Sequence, residues 1–260
     1  MKIHVLGTGS ADTIKCYNTC WCLENNGKYL LVDGGGGNQI LSQLEKADIS
    51  ILDIHNVFIS HIHTDHILGL VWIIRIVTHK ILLDNNYIGT LNVYGDKTSI
   101  DILKYLVETL FPVAKKVIDS RILFYPVEDG ETVNIIDLPI TFMNTGAKNI
   151  TQFGFYIEKK LAFCGDMPLT RKDAVFNCEW LLHEAYCLDK EEQQFKAHFK
   201  NHSTVKDAAE IATLVNAKNL IMWHSVDNRI ETRKLEFTQE AKQYFNGNVY
   251  APNDLEVIEI

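Results

Sequence analysis

Phe58-Ile59-Ser60-His61-Ile62-His63-Thr64-Asp65-His66-Ile67-Leu68-Gly69 decides the fold of this chain. An apolar strand-like run leads into it, and three histidines and an aspartate follow within six positions. Helical spacing of apolar residues then begins at once, from His66 to Val77. Alternate residues at an extended strand end point the same way, so His61 and His63 can share one metal ion. Asp65 and His66 are shifted onto the start of the helix, where they reach a second metal or the other side of the first. Imidazole and carboxylate donors suit Zn, with Mn or Fe as alternatives. A surface loop rarely packs histidines this densely between two buried elements.

Outward from this segment, short β-rich runs alternate with helical stretches. Strands are expected at Lys2–Leu6, Cys20–Leu23, Tyr29–Val32 and Asn56–Ser60, with Asn25-Asn26-Gly27 turning a hairpin between the second and third. Asn38 to Lys46 carries Ile40, Leu41 and Leu44 at helical spacing. Asn92–Tyr94 and Arg121–Val127 read as strands flanking a helix at Ile100–Leu110. The second half repeats the style, with strands at Thr132–Ile136, Ile140–Met143, Phe153–Ile157, Leu161–Cys164, Trp180–Leu182 and Asn219–Trp223. Thr204, with Asp207 three residues on, forms a capping box for a helix whose apolar face is Val205, Ala208, Ile211, Ala212 and Val215. Strands and helices interleaved in two halves imply an α/β protein, either an αββα sandwich or a doubly wound sheet. Periodicity does not choose between them.

Bulk composition sets the outer limits. The 260 residues contain no low-complexity linker and no solenoid repeat, so one domain over 1–260 is expected. The net charge of −8 counts against a polyanion-binding surface, since phosphate neutralisation needs clustered Lys and Arg, although a local basic patch would suffice for RNA. No stretch approaches the roughly 18 apolar residues of a membrane span, and the start lacks a signal-peptide core. A cytoplasmic protein with six reduced cysteines is therefore expected. Cys16, Cys20 and Cys22 cluster without the paired C-x-x-C spacing of a zinc knuckle and read as core or near-surface thiols.

His61 to His66 reproduces H-x-H-x-D-H, and at these residues the chain resembles the metallo-β-lactamase superfamily. Leu6–Ser10, Leu30–Gly35 and Phe163–Asp166 are similar to further superfamily motifs, in the expected order. The resemblance implies the αββα sandwich, Asp166 bridging two metals, His224 on the second metal and Asp33 as an orienting carboxylate behind the ligands. Within the superfamily the chain is most similar to ribonuclease Z and its relatives, through Gly34–Leu44, His183-Glu184-Ala185 and His202-Ser203-Thr204. That likeness implies a metal-dependent phosphodiesterase acting on RNA 3′ ends or on a smaller phosphodiester, and a homodimer. Metals acidify a bound water to about pKa 7 and stabilise phosphoryl charge. The departing alkoxide needs a proton, and His202 is the candidate donor if Glu184 holds its ring. Asp65 is a candidate to orient the water besides serving as a ligand.

Two departures from the pattern stand out. Superfamily members usually place another histidine on the strand before the bridging aspartate. Here Ile140–Lys148 contains none, and no histidine occurs between His79 and His183. The first metal position keeps only His61, His63 and Asp166, with Asn144 or Thr145 as weak oxygen candidates. The second keeps Asp65, His66, His224 and Asp166, so one or two ions are expected with the second position better equipped. The protruding arm by which bacterial ribonuclease Z grips tRNA has no room between Gly146 and Gly165. Two other readings remain open: an ester, thioester or lactam hydrolase of the same fold, and a metal-binding protein whose catalysis has decayed.

Overall fold

The structure, a computed structural model, describes residues 1–260. The first half contains strands β1 (Lys2–Gly7), β2 (Cys20–Asn25), β3 (Lys28–Val32), β4 (Ile54–Ile59), β5 (Leu91–Gly95) and β6 (Ile122–Pro126). Helices α1 (Gln39–Lys46), α2 (Thr64–Leu82) and α3 (Lys97–Leu110) lie among them in the chain. The second half contains β7 (Thr132–Ile135), β8 (Leu138–Asn144), β9 (Phe153–Ile157), β10 (Leu161–Phe163), β11 (Trp180–Glu184), β12 (Asn219–Trp223), β13 (Asn248–Tyr250) and β14 (Val257–Glu259). Its helices are the short α4 (Glu192–Phe195), α5 (Val205–Leu214) and α6 (Arg233–Ala241).

The strands form two seven-stranded sheets, ordered β14-β1-β2-β3-β4-β5-β6 and β13-β12-β11-β10-β9-β8-β7. This is the αββα sandwich, and the doubly wound alternative is excluded because the strands divide between two sheets rather than extending one. Each sheet joins an antiparallel part to a parallel part. In the first, pairing is antiparallel from β14 to β3 and parallel from β3 to β6. In the second, it is antiparallel from β7 to β10 and parallel from β10 to β13.

Strand alternation sorts side chains between three apolar layers. On β2, Trp21 and Leu23 face the layer between the sheets, whereas Cys20 and Cys22 join the layer under α1–α3. On β12, Ile221 and Trp223 face the other sheet, and Leu220 and Met222 pack beneath α5 and α6. The middle layer is aromatic: the Trp21 ring lies 6.0 Å from Phe155, 5.4 Å from Phe163 and 5.4 Å from Trp223. Such pairs add about 0.5–1.5 kcal/mol each beyond simple burial, which fixes how the sheets face one another.

Local signals explain several boundaries. Asn26 and Gly27 take φ of 52° and 76°, the two left-handed residues of the tight turn between β2 and β3. Thr204 and Asp207 form the reciprocal capping box at α5. Helix α2 starts two residues earlier than its periodicity predicts and runs on to Leu82. Arg75, the one charge within its apolar stretch, lies 4.3 Å from the Phe111 ring rather than in the core. All six cysteines are free thiols, and five of them are buried. No helix is long and apolar enough to cross a membrane.

Candidate metal centre

The parallel strands aim their carboxyl ends at one place, the usual location of ligands in parallel α/β sheets. Asp33 follows β3, Ser60 to His63 follow β4, and Asp65 and His66 occupy the first turn of α2. From the second sheet come Asp166 after β10, Glu184 at the end of β11 and His224 after β12, with His202 in the loop before α5. Two glycines permit the approach of α2. Gly34 N–H donates to the His66 carbonyl and Gly69 N–H to the Gly35 carbonyl, both at 2.8 Å. A Cβ on Gly69 would fall 1.8 Å from the Gly34 oxygen, so no other residue fits without moving the helix. Around His224, the loop after β1 pairs with Ser225, and the buried Arg233 guanidinium binds Ser225 Oγ at 2.8 Å and Thr8 Oγ1 at 2.9 Å.

The structure brings His61, His63 and Asp166 into one donor group, and Asp65, His66 and His224 into another. Asp166 Oδ2 lies at the junction, 3.5 Å from His61 Nε2, 3.3 Å from His66 Nε2 and 3.3 Å from His224 Nε2. Asp65 Oδ2 is 3.4 Å from both His66 Nε2 and His224 Nε2. These separations are long for hydrogen bonds. They match the roughly 3.3–3.4 Å between neighbouring donors that each sit about 2.0–2.1 Å from one tetrahedral ion. His61 Nε2 and His66 Nε2 are buried without any hydrogen-bond partner, a costly arrangement unless a cation accepts their lone pairs.

Behind these donors, Asp33 sets the tautomers. It sits at φ 57° and accepts from Ser60 N–H at 2.8 Å and Ser60 Oγ at 2.7 Å, and from His66 Nδ1 at 2.9 Å. Because the Ser60 hydroxyl donates to Asp33, it accepts from His61 Nδ1 at 2.9 Å. Both imidazoles therefore carry hydrogen on Nδ1 and turn Nε2 toward the centre. Burial, reinforced by the neighbouring histidines, pushes His61 down to about 3 against the pull of Asp166, so it stays neutral and free to bind. For His66, burial opposes charge, but Asp65, Asp33 and Asp166 hold its pKa well above the usual value. Burial would raise the pKa of Asp166, yet His61, His224 and His66 hold it well below the ordinary range. The cluster is thus a buried concentration of negative charge that calls for a cation. Donor types, spacing and unpaired nitrogens all fit a divalent metal.

Glu184 and His202 form a separate pair beside this centre. His202 Nδ1 lies 2.8 Å from Glu184 Oε2 and 3.0 Å from the Asp166 carbonyl. Both partners are acceptors, so Nδ1 carries the hydrogen and Nε2 is the atom that gains or loses a proton. Glu184 also accepts from Ser203 N–H at 2.8 Å. The Tyr186 ring stacks on His202 at 4.4 Å, with the planes 4° apart. Burial works against charge on His202, but Glu184 and then Asp166 lift it to about 9.

The two weak oxygen candidates turn elsewhere. Asn144 Oδ1 accepts from Gly146 N–H at 2.9 Å, and the Thr145 hydroxyl is spent on Gln152. Sequence reasoning missed Ser60, Tyr186 and Gln152. Ser60 adjoins the motif, and Tyr186 is two residues beyond Glu184 on an extended segment, a spacing that places both on one side. Gln152 carries no such signal.

A protein-family model described as anti-Pycsar protein Apyc1 matches residues 1–244. Ribonuclease Z of Archaeoglobus fulgidus is 25% identical over 96% of this chain and 95% of that protein. Ribonuclease Z of Methanococcus aeolicus is 32% identical over 138 residues, 53% of this chain and 39% of that protein. Among solved structures, the metallo-β-lactamase fold protein YhfI of Bacillus subtilis superposes with a TM-score of 0.81 at 18% identity, covering 100% of this chain and 99% of that one. A diphosphatase of the PhnP family gives 0.74 at 17% identity, covering 100% and 96%. Taken with a centre whose donors fit a divalent cation, these likenesses make the chain a metal-dependent hydrolase of the metallo-β-lactamase fold, and it belongs to the anti-Pycsar Apyc1 family.

Proposed function

We propose that the chain hydrolyses a small phosphodiester, with zinc as the ion and His61, His63, Asp65, His66, Asp166 and His224 as the residues that hold it. The observation that carries this reading is the carboxylate-held imidazole of His202 beside the donor cluster. Bound divalent ions supply an acidified water and neutralise charge on phosphoryl oxygens. His202, with Nδ1 fixed by Glu184, presents Nε2 as the group that protonates the departing alkoxide. Thioester hydrolysis leaves that pair less to do, since a thiolate departs without a proton. Asp65, half of whose carboxylate is directed at His66 and His224, also orients the attacking water.

A small substrate fits better than a folded RNA. Between Asn144 and Gly165 the chain holds only a loop, β9 and β10, without a projecting arm, and the net charge is −8. A diphosphatase of the PhnP family and the yeast PDE1 protein share this fold, the latter at a TM-score of 0.69 and 15% identity. The test is turnover of bis-p-nitrophenyl phosphate with added Zn or Mn, set beside a thioester and a 3′-extended tRNA. Phosphodiester turnover far above thioester is expected. Preference for the thioester would sink the reading, and efficient tRNA cleavage would replace the small substrate by RNA.

A further inference from the structure

Gln152 lies against Asp166, the carboxylate whose Oδ2 faces both donor groups. It is fully buried between β8 and β9, and its Nε2 donates to Asp166 Oδ1. The amide is fixed on its other sides as well. Thr145 Oγ1 donates to Gln152 Oε1 at 3.0 Å, and Thr145 N–H donates to the Gln152 carbonyl at 3.0 Å. The next residue, Phe153, donates its N–H to the Ser60 carbonyl at 2.9 Å, tying this turn to the strand end that carries His61. Gly165, at φ 76°, makes the space: a Cβ there would lie 2.6 Å from the Gln152 amide carbon.

This geometry has a chemical consequence. A carboxylate accepts only, so the amide must show it N–H, and its oxygen is turned to Thr145. Gln152 therefore offers no lone pair on the Asp166 side. It occupies Oδ1, and Oδ2 is the Asp166 oxygen within 3.3–3.5 Å of His61, His66 and His224. Asp65, His66, His224 and Oδ2 make four donors, the full set for a tetrahedral ion. His61, His63 and the same Oδ2 make three, and His63 is exposed.

We infer that Gln152 is a positioning residue that lets Asp166 complete the four-donor position while the three-donor position stands open to exchange, so the protein holds one ion tightly per chain. A buried carboxylate with only one ion beside it needs a partner for its other oxygen, and the amide supplies it without charge. The inference rests on the proposed ligand roles of the six residues and adds to them the count of ions and its cause.

The test is a Co(II) titration of the metal-free full-length chain, followed by visible absorption and calorimetry, with Zn content measured after dialysis. The expected result is one ion retained, with the second binding at least about 10- to 100-fold more weakly. Gln152→Ala should weaken the tight ion by about 10- to 100-fold and shift its Co(II) band, because Oδ1 loses its donor. Thr145→Val, which leaves Gln152 in place but unfixed, should shift the same band by less and serves if Gln152→Ala fails to fold. Two wild-type ions of similar affinity would overturn the inference while leaving the proposed ligands intact. An unchanged band and affinity in both Gln152→Ala and Thr145→Val would also overturn it. Binding of no ion at all would overturn the ligand assignment itself, and this inference with it.

Discussion

The two donor groups share Asp166 and lie side by side, yet they are built differently. Asp65, His66 and His224 are all buried, and His66 is aligned directly by Asp33 at 2.9 Å. His61 is aligned by the same carboxylate only through Ser60, and His63 is exposed at the N-cap of α2 with no side-chain hydrogen bond there. The H-x-H-x-D-H segment thus serves both positions but equips them unequally. Burial and orienting hydrogen bonds, more than the number of histidines in the motif, set the two proposed positions apart.

That contrast sets the order of expected effects. His224→Ala breaks the four-donor group and should cost about 10³-fold in phosphodiester turnover, with loss of the tight ion, because metal stabilisation of charge is worth several kcal/mol. If it instead costs no more than His63→Ala, the contrast fails. On a phosphodiester with an alkoxide leaving group, His202→Ala should slow turnover by about 10²- to 10³-fold with metal content unchanged, which separates proton handling from metal holding. Loss of metal in that variant would make His202 a ligand. Glu184→Gln sharpens the same point through pH. As the proposed donor, His202 acts while protonated, so activity is expected to fall as pH rises through its raised pKa. Removing the carboxylate that raises it should move the alkaline limb of the kcat profile to lower pH, measured on the metal-loaded enzyme.

Asp33→Asn acts on both groups at once and should weaken metal binding by about 10- to 100-fold, read by chelator competition. A loss confined to the second ion bound would show that His61 depends on Asp33 more than His66 does. The smallest effect is expected from His63→Ala, about tenfold in turnover with the tight ion retained.

Much of this was legible in the sequence because residue type and spacing agreed locally. The strand into His61, the start of α2, the Asn26-Gly27 turn and the Thr204 capping box each need only neighbours in the chain. What was illegible depends on distant partners. α6 buries Arg233, Phe237 and Ala241 on one face. An arginine on a buried face hides the helical pattern, since its acceptors, Thr8, Ser225 and the Pro252 carbonyl, come from elsewhere. β13 and β14 are three residues each, too short for alternation to register, and β14 becomes a strand by pairing with β1. Gln152 earned no attention from its type, and only the fold sets its amide against Asp166.

The division of the strands between two sheets gives any bound ion a second task. Asp33, His61, His63, Asp65 and His66 ride on the first sheet, and Asp166, Glu184, His202 and His224 on the second. Each donor group draws on both sheets, His61 and His63 meeting Asp166 and Asp65 and His66 meeting His224, so a fully held ion rivets the halves together across their aromatic seam. Chelation should therefore loosen the whole sandwich as well as silence it, and a saturating ion should raise the melting temperature by mass action. Nascent chains would acquire that rivet late, after the second sheet has docked against the first.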